Sequence, residues 1–341
     1  MTKKMISIGF AALSAIFLAA CESSDSPESD AAFEAALENA NQELISNSLP
    51  GADGVAPMGA PLGMGPPPGM GGPPGAPGGP PPQGQILAGE PDQILTYKEV
   101  EGISLQAHIF NPEGASDDSG SAALVFLHGG GLRQGSPAQG YEFAVRFSAE
   151  GLAVVSIQYR LLGTNAETLD QLVADGKSAI RWLRENSDEL GIDPDRIAMM
   201  GHSAGASLTL TTSVVPAFDE ESEDAEVSSM PNAIVAWSPT ITRPDDPENS
   251  IVAEGMLMED LSPASYVRAG LPTALFIHGD LDPIASPEAA VEFEARYRAA
   301  GNESSFLMIE GADHFFRPPE HRDQLMVAIS DFLADLGYSN R

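Results

Sequence analysis

The segment "RIAMMGHSAGASLTLTT", residues 196–212, runs from an apolar stretch into a run of small residues through Gly201-His202-Ser203-Ala204-Gly205. "RIAMM" has the character of a buried strand, and "AGASLTLTT" that of a helix, so the serine falls on the turn between them. A serine on a strand–turn–helix corner in the pattern Gly-x-Ser-x-Gly is the arrangement of a nucleophile elbow. Gly201 and Gly205 relieve the crowding of so sharp a turn. The helix N-terminus after Ser203 aims amide hydrogens at any negative charge developing there.

The same alternation continues on both sides of this corner. "ALVFLH" (123–128), "LAVVSIQ" (152–158), "AIVAW" (233–237), "TALFIH" (273–278) and "SFLMIE" (305–310) read as buried strands. Helices are predicted within "TLDQLVADGKSAIRWLRENSDEL", where Leu169, Leu172, Val173, Ala179, Ile180 and Leu183 share one face, and over 204–215, 287–300 and 321–336. "LQAHIF" near residue 107 reads as an antiparallel edge strand. Strands separated by helix-length segments imply right-handed crossovers, hence one α/β domain with a mostly parallel central sheet and helices on both faces. Residues 218–232 with 241–262 are either a small cap or irregular surface.

In such a sheet, ligands bind beyond the carboxyl ends of the strands. Three further stretches fall at those ends. "HGGG", His128 to Gly131, follows "ALVFL" and offers closely approachable backbone amides. "HGDLDPI" follows "TALFI" and carries Asp280 and Asp282, and "EGADHFF" follows the last strand and carries His314. A serine nucleophile needs a base, and the base needs a carboxylate to fix its tautomer. Ser203, then an aspartate, then His314 satisfies that requirement in the order Ser…Asp…His.

These motifs, "LVFLHGGGLRQGSP", "VVSIQYRL", "LVADGKSAIRWLRENSDELGIDPDRIAMMGHSAG", "LFIHGDLDPI" and "GADHFF", resemble the α/β-hydrolase fold family. Within it the likeness is to bacterial carboxylesterases of the acetyl esterase and feruloyl/acetyl-xylan esterase type. The resemblance covers residues of about 100 to 336. It implies Ser203, Asp282 and His314 as the triad, Asp280 as a turn cap, and the amides of Gly129, Gly130 and Ala204 as the oxyanion hole. The implied reaction is hydrolysis of a small or polysaccharide-linked ester. The chain departs from the pattern at Leu132, where relatives often carry an aromatic residue, and at Ala206, where many have glycine. Leu132, His202 and Trp237 are the expected neighbours of the substrate, and His128 and His202 are expected to orient loops. A prolyl-oligopeptidase-like peptidase and a non-catalytic binding module are the alternatives; "HGGG" argues against the first and the complete set of triad residue types against the second.

No two histidines stand at metal-ligand spacing, and a single cysteine builds no thiolate site, so neither metal nor cofactor is expected. With 17 Lys and Arg against 49 Asp and Glu, the net charge is −32. A surface so acidic repels polyanions, which argues against a nucleic-acid partner. Oligomeric state has no signature in the sequence.

The first 85 residues differ in kind. Lys3 and Lys4 precede an uncharged apolar run from Met5 to Ala20 that is short for a membrane span, which needs about 20 residues. It ends in "LAAC", Leu18 to Cys21, which resembles the lipobox of bacterial lipoproteins. That resemblance implies a signal peptide over 1–20, lipid attachment at Cys21 and residence in the cell envelope, with Glu22 in place of aspartate leaning towards the outer membrane. As Cys21 is the one cysteine, no disulfide is expected. Residues 21–50 read as an acidic tether, with Phe33, Leu37, Leu44 and Ile45 spaced for a short helix. In residues 51–85, 12 Gly and 11 Pro leave too few apolar side chains to offset ordering entropy. A disordered linker is predicted there, with the catalytic domain over 86–341.

Overall fold

The computed structural model describes residues 89–113, 120–241 and 262–339. The chain divides after Gly78, and every described residue belongs to the second unit, Gly79–Arg341. The signal peptide, tether and linker expectations and the lipidation of Cys21 lie outside the described residues.

The strands are β1 (Gln93–Val100), β2 (Ile103–Phe110), β3 (Ser121–Leu127), β4 (Ala153–Ile157), β5 (Ile192–His202), β6 (Ala233–Trp237), β7 (Thr273–Gly279) and β8 (Ser304–Ile309). They form one eight-stranded sheet in the order β1-β2-β4-β3-β5-β6-β7-β8. β2 pairs antiparallel with β1 and with β4, and all later pairings are parallel. The helices are α1 (Tyr141–Ser148), α2 (Leu169–Glu185), α3 (Ala204–Val214), α4 (Pro287–Ala299) and α5 (Pro319–Asp335).

Strands β3 to β7 are largely apolar runs because both faces are covered, whereas "SFLMIE" is not a buried strand: β8 lies at the sheet edge, fully burying Ile309 and leaving Met308 exposed. Ala123, Val125 and Leu127 of β3 join a core shared with α2, α3 and α4. Leu124 and Phe126 of the same strand point the other way, into a core closed by α1 and α5. Burying each such Leu, Val or Phe side chain is worth about 2 kcal/mol. The helix starts are written locally. Gln171 Oε1 accepts from the Thr168 amide at 3.2 Å at the head of α2. At the head of α4, Ser286 Oγ accepts from the Ala289 amide at 3.1 Å and Pro287 supplies the first turn.

Two elements escape the pattern, and each has a physical reason. "LQAHIF" is not an edge strand, because β1 lies outside it. In β1 the register slips between Thr96 and Lys98, so the adjacent Tyr97 and Lys98 are both buried and the two-residue alternation is broken. The short α1 presents only Phe143, Ala144, Phe147 and Ser148 to the interior.

Lys98 is drawn inward by Asp175 of α2, whose side chain is 0% exposed. Asp175 Oδ1 accepts from Lys98 Nζ at 2.8 Å and from Arg160 Nη2 at 2.8 Å, while Oδ2 accepts from the Arg160 amide at 3.0 Å. The segment expected as half of a cap is fastened to the same region. Asp219 accepts from Lys177 and Arg181, Glu220 from Lys98, and Glu223 from Arg181. Residues 218–232 are therefore irregular chain clamped to α2 and β1, and most of 241–262 lies outside the described residues. Removing one partner of a buried ion cluster strands the others without compensation. Asp175→Asn is expected to lower unfolding free energy by about 3 kcal/mol, read as a lower urea midpoint with an unchanged slope.

Candidate active site

Ser203 is the single residue between β5 and α3, and it sits at φ 56°, ψ −125°. A non-glycine residue in that region carries about 1–3 kcal/mol of strain, which the packing around it must hold. The packing is close enough to do so. A Cβ on Gly201 would stand 2.2 Å from the carbonyl oxygen of Gly205, and one on Gly205 would stand 2.2 Å from that of Leu127. Only glycine fits at either position. The Ser203 amide donates to Trp237 O on β6 at 2.9 Å, which fixes the other side of the turn.

Asp282 lies on the loop from β7 to α4, and His314 on the loop from β8 to α5. The fold brings these three side chains together. His314 Nε2 is 2.7 Å from Ser203 Oγ, and His314 Nδ1 is 2.7 Å from Asp282 Oδ2. Ser203 and His314 are 7% and 2% exposed. Asp282 Oδ1 accepts from the amides of Ile284 and Ala285 at 2.8 and 2.9 Å. Burial is the largest influence on this carboxyl and favours its neutral form. The hydrogen bonds from His278, His314, Ala285 and Ile284 outweigh it and hold Asp282 well below the usual carboxylate range. An ionised Asp282 keeps the His314 proton on Nδ1, leaving Nε2 as the acceptor for the serine proton.

Asp280 is turned elsewhere: its Oδ1 accepts from the Gly311 amide at 2.6 Å. That bond, with Leu281 N donating to Ala312 O at 3.1 Å, ties the aspartate and histidine loops together. Gly279 lets them touch, because a Cβ there would stand 2.3 Å from Ala312 O.

The glycine run lies against the nucleophile. A Cβ on Gly129 would be 3.4 Å from Ser203 Cβ, and Gly130, at φ 124°, would collide with Gln134 O. Ala204 is the first residue of α3. Leu132, at φ 62°, and Trp237 are each 3% exposed and belong to the packed interior on opposite faces of the sheet. His202 stacks on Trp237, ring centroids 3.8 Å apart, and donates from Nε2 to His314 O at 3.0 Å. His128 donates from Nδ1 to Gly129 O at 2.9 Å. Both imidazoles therefore hold backbone of the site, as the sequence predicts.

Several further residues of the site lie within the quoted motifs without having been assigned a role there. Tyr159 stacks on His128 at 4.2 Å and donates to its carbonyl oxygen at 2.6 Å, steadying the glycine run from beneath. The signal in the sequence was its place in "VVSIQYRL", which did not say what its ring and hydroxyl touch. Phe315 is 42% exposed beside His314, with Arg317 over its ring at 4.7 Å, and Leu281 and Ile284 are exposed beside Asp282. These make an apolar rim around the acid and base.

Comparison with known proteins identifies the family and its relatives. The family model described as BD-FAE matches residues 108–297. Esterase LipC of Mycobacterium tuberculosis is 30% identical over 214 residues, 57% of this chain and 52% of that protein. Gut esterase 1 of Caenorhabditis briggsae is 36% identical over 34% of this chain and 22% of its own length. The chain thus spans about half, or less, of these curated relatives. Among solved structures, Thermogutta terrifontis esterase 2 phosphoramylated by tabun aligns with a TM-score of 0.68 at 30% identity, covering 73% of this chain and 96% of that one. The propionate-bound form of that esterase aligns at 0.67 and 31%.

The buried imidazoles set a pH dependence. Burial, opposed by hydrogen bonds to backbone, lowers His202 from 6.5 to about 3 and His128 from 6.5 to about 4. An unfolded chain takes up both protons as pH falls through 6.5, while the folded chain does not until those lower values. The unfolded state binds more protons across that window, so stability falls with pH. The urea midpoint is expected to decline from pH 6.5 towards pH 4. His202→Gln, which keeps an N–H for His314 O, is expected to flatten that decline.

Proposed function

The chain belongs to the BD-FAE family of α/β-hydrolases, and from that premise we propose that it is a serine carboxylesterase acting on short acyl esters. The observation carrying this reading is the unbroken line from Ser203 Oγ through the His314 ring to Asp282, 2.7 Å at each step. His314 Nε2 takes the hydroxyl proton as Ser203 Oγ bonds to the ester carbonyl carbon. The resulting oxyanion is received by the amides of Gly129, Gly130 and Ala204, each such donor being worth about 3 kcal/mol. His314 then gives its proton to the departing alcohol as the carbon–oxygen bond breaks, leaving an acyl group on Ser203. Water repeats the sequence and releases the acid.

A short acyl group is supported by the neighbouring Thermogutta esterase, which is described in propionate- and butyrate-bound forms. Acetyl and feruloyl esters, including those carried by polysaccharide, are the substrates to set against it. With p-nitrophenyl acetate and butyrate, Ser203→Ala is expected to lower kcat/KM by about 10⁵-fold with unchanged unfolding behaviour. A fluorophosphonate probe should label the parent protein and not the variant. Full activity in the variant would remove Ser203 as the nucleophile. A rate rising steadily with acyl length would remove the short-acyl assignment.

The tetrad "LAAC" at 18–21 supports export and lipid attachment at Cys21, which would tether the enzyme to a membrane of the cell envelope. In a bacterial host, radiolabelled palmitate is expected in the parent chain and absent from Cys21→Ala. Equal incorporation in both would sink the anchor.

A further inference from the structure

His278 lies next to the last residue of β7, and its side chain is 0% exposed. It carries no role in the proton path described above. Its Nε2 is 3.1 Å from Asp282 Oδ2 and 3.2 Å from Ala285 O. An ionised carboxylate and a carbonyl are both acceptors, so the proton of this ring sits on Nε2 and is shared between them. Nδ1 is buried and has no hydrogen-bond partner among the described residues, so a second proton there would find no acceptor among them. The His278 ring proton on Nε2 is therefore within reach of both Ala285 O at 3.2 Å and Asp282 Oδ2 at 3.1 Å.

The two oxygens of Asp282 are held differently. Oδ1 is fixed by the Ile284 and Ala285 amides of its own loop. Oδ2 lies between two imidazoles, His314 at 2.7 Å and His278 at 3.1 Å. The other titratable groups around this pair are engaged elsewhere. Asp280 accepts from Gly311 N, His202 donates to His314 O, and the Arg322 guanidinium lies over Trp237.

We propose that His278 is a positioning residue for the esterase reaction, its Nε2–H fixing the oxygen of Asp282 that holds His314 and sharing that oxygen's negative charge. The inference rests on the reading of Ser203, His314 and Asp282 as nucleophile, base and acid. Without this donor, the charge on Oδ2 is met by His314 alone among ring donors. The carboxylate then attracts positive charge on His314 more strongly.

Two substitutions separate this role from simple packing. The side-chain nitrogen of glutamine matches Nε2 of histidine in distance along the chain, whereas that of asparagine matches Nδ1. His278→Asn is expected to lower kcat/KM for p-nitrophenyl acetate about tenfold. It should also move the acid limb of the pH profile upward by about half a unit. His278→Gln is expected to recover most of both changes. An acid limb unchanged in His278→Asn, or a glutamine variant no better than the asparagine one, overturns the proposal. Should neither variant fold, ¹⁵N-histidine NMR of the unaltered protein decides. At neutral pH the His278 ring proton should sit on Nε2, and an Nδ1–H ring overturns the proposal. Ser203→Ala run alongside keeps the two readings apart. Full activity there defeats the serine mechanism itself. An inactive Ser203→Ala beside an unshifted His278→Asn defeats only the role of His278.

Discussion

The start of α3 is pressed onto the sheet more closely than any side chain would permit, and the site is built on that approach. With Gly205 lying over the carbonyl of Leu127, the chain leaving β5 has one residue in which to reverse. That residue is forced to a positive φ, which lifts its side chain clear of the strand ends. The same approach brings the first amide of α3 near the glycine run after β3, because β3 and β5 are paired neighbours. Nucleophile and amides are thus consequences of one contact between a helix and two strands. The strain at Ser203 is held by the surrounding core on both faces, whose burial exceeds it many times over.

Asp282 and His314 arrive by a different route. β7 and β8 are parallel neighbours at the far edge, so the loops after them leave the sheet side by side. Gly279 lets them meet, Asp280 and Leu281 bridge to the facing backbone, and Asp282 spans to His314. Asp280 and Asp282 divide the work by direction, one holding loop to loop and the other facing the imidazole.

Much of this was legible in the sequence because the signals are local. A buried parallel strand is a continuous apolar run, a glycine pair marks a corner, and residues at strand ends share one rim. Those three facts together single out Ser203, Asp282 and His314, whose side chains the fold places within hydrogen-bonding distance. What stayed hidden depends on the partner rather than on the pattern. β1 was masked by a slip that buries Lys98, and no periodicity anticipates a lysine turned inward to meet Asp175. Tyr159 and His278 fall within quoted motifs, but a motif does not say which groups they touch. Leu132 and Trp237 are mostly enclosed by packing, a distinction that rests on which face of the sheet receives them.

The bridged loops also bear on how the site could be remodelled. Residues 279–286 and 310–317 carry the apolar rim of Leu281, Ile284 and Phe315 as well as the acid and base. Because each loop supplies the hydrogen-bond partners of the other, they behave as one interchangeable cassette. Grafting a relative's rim one loop at a time would leave unmatched donors at the seam, whereas moving both together would carry the proton path with it.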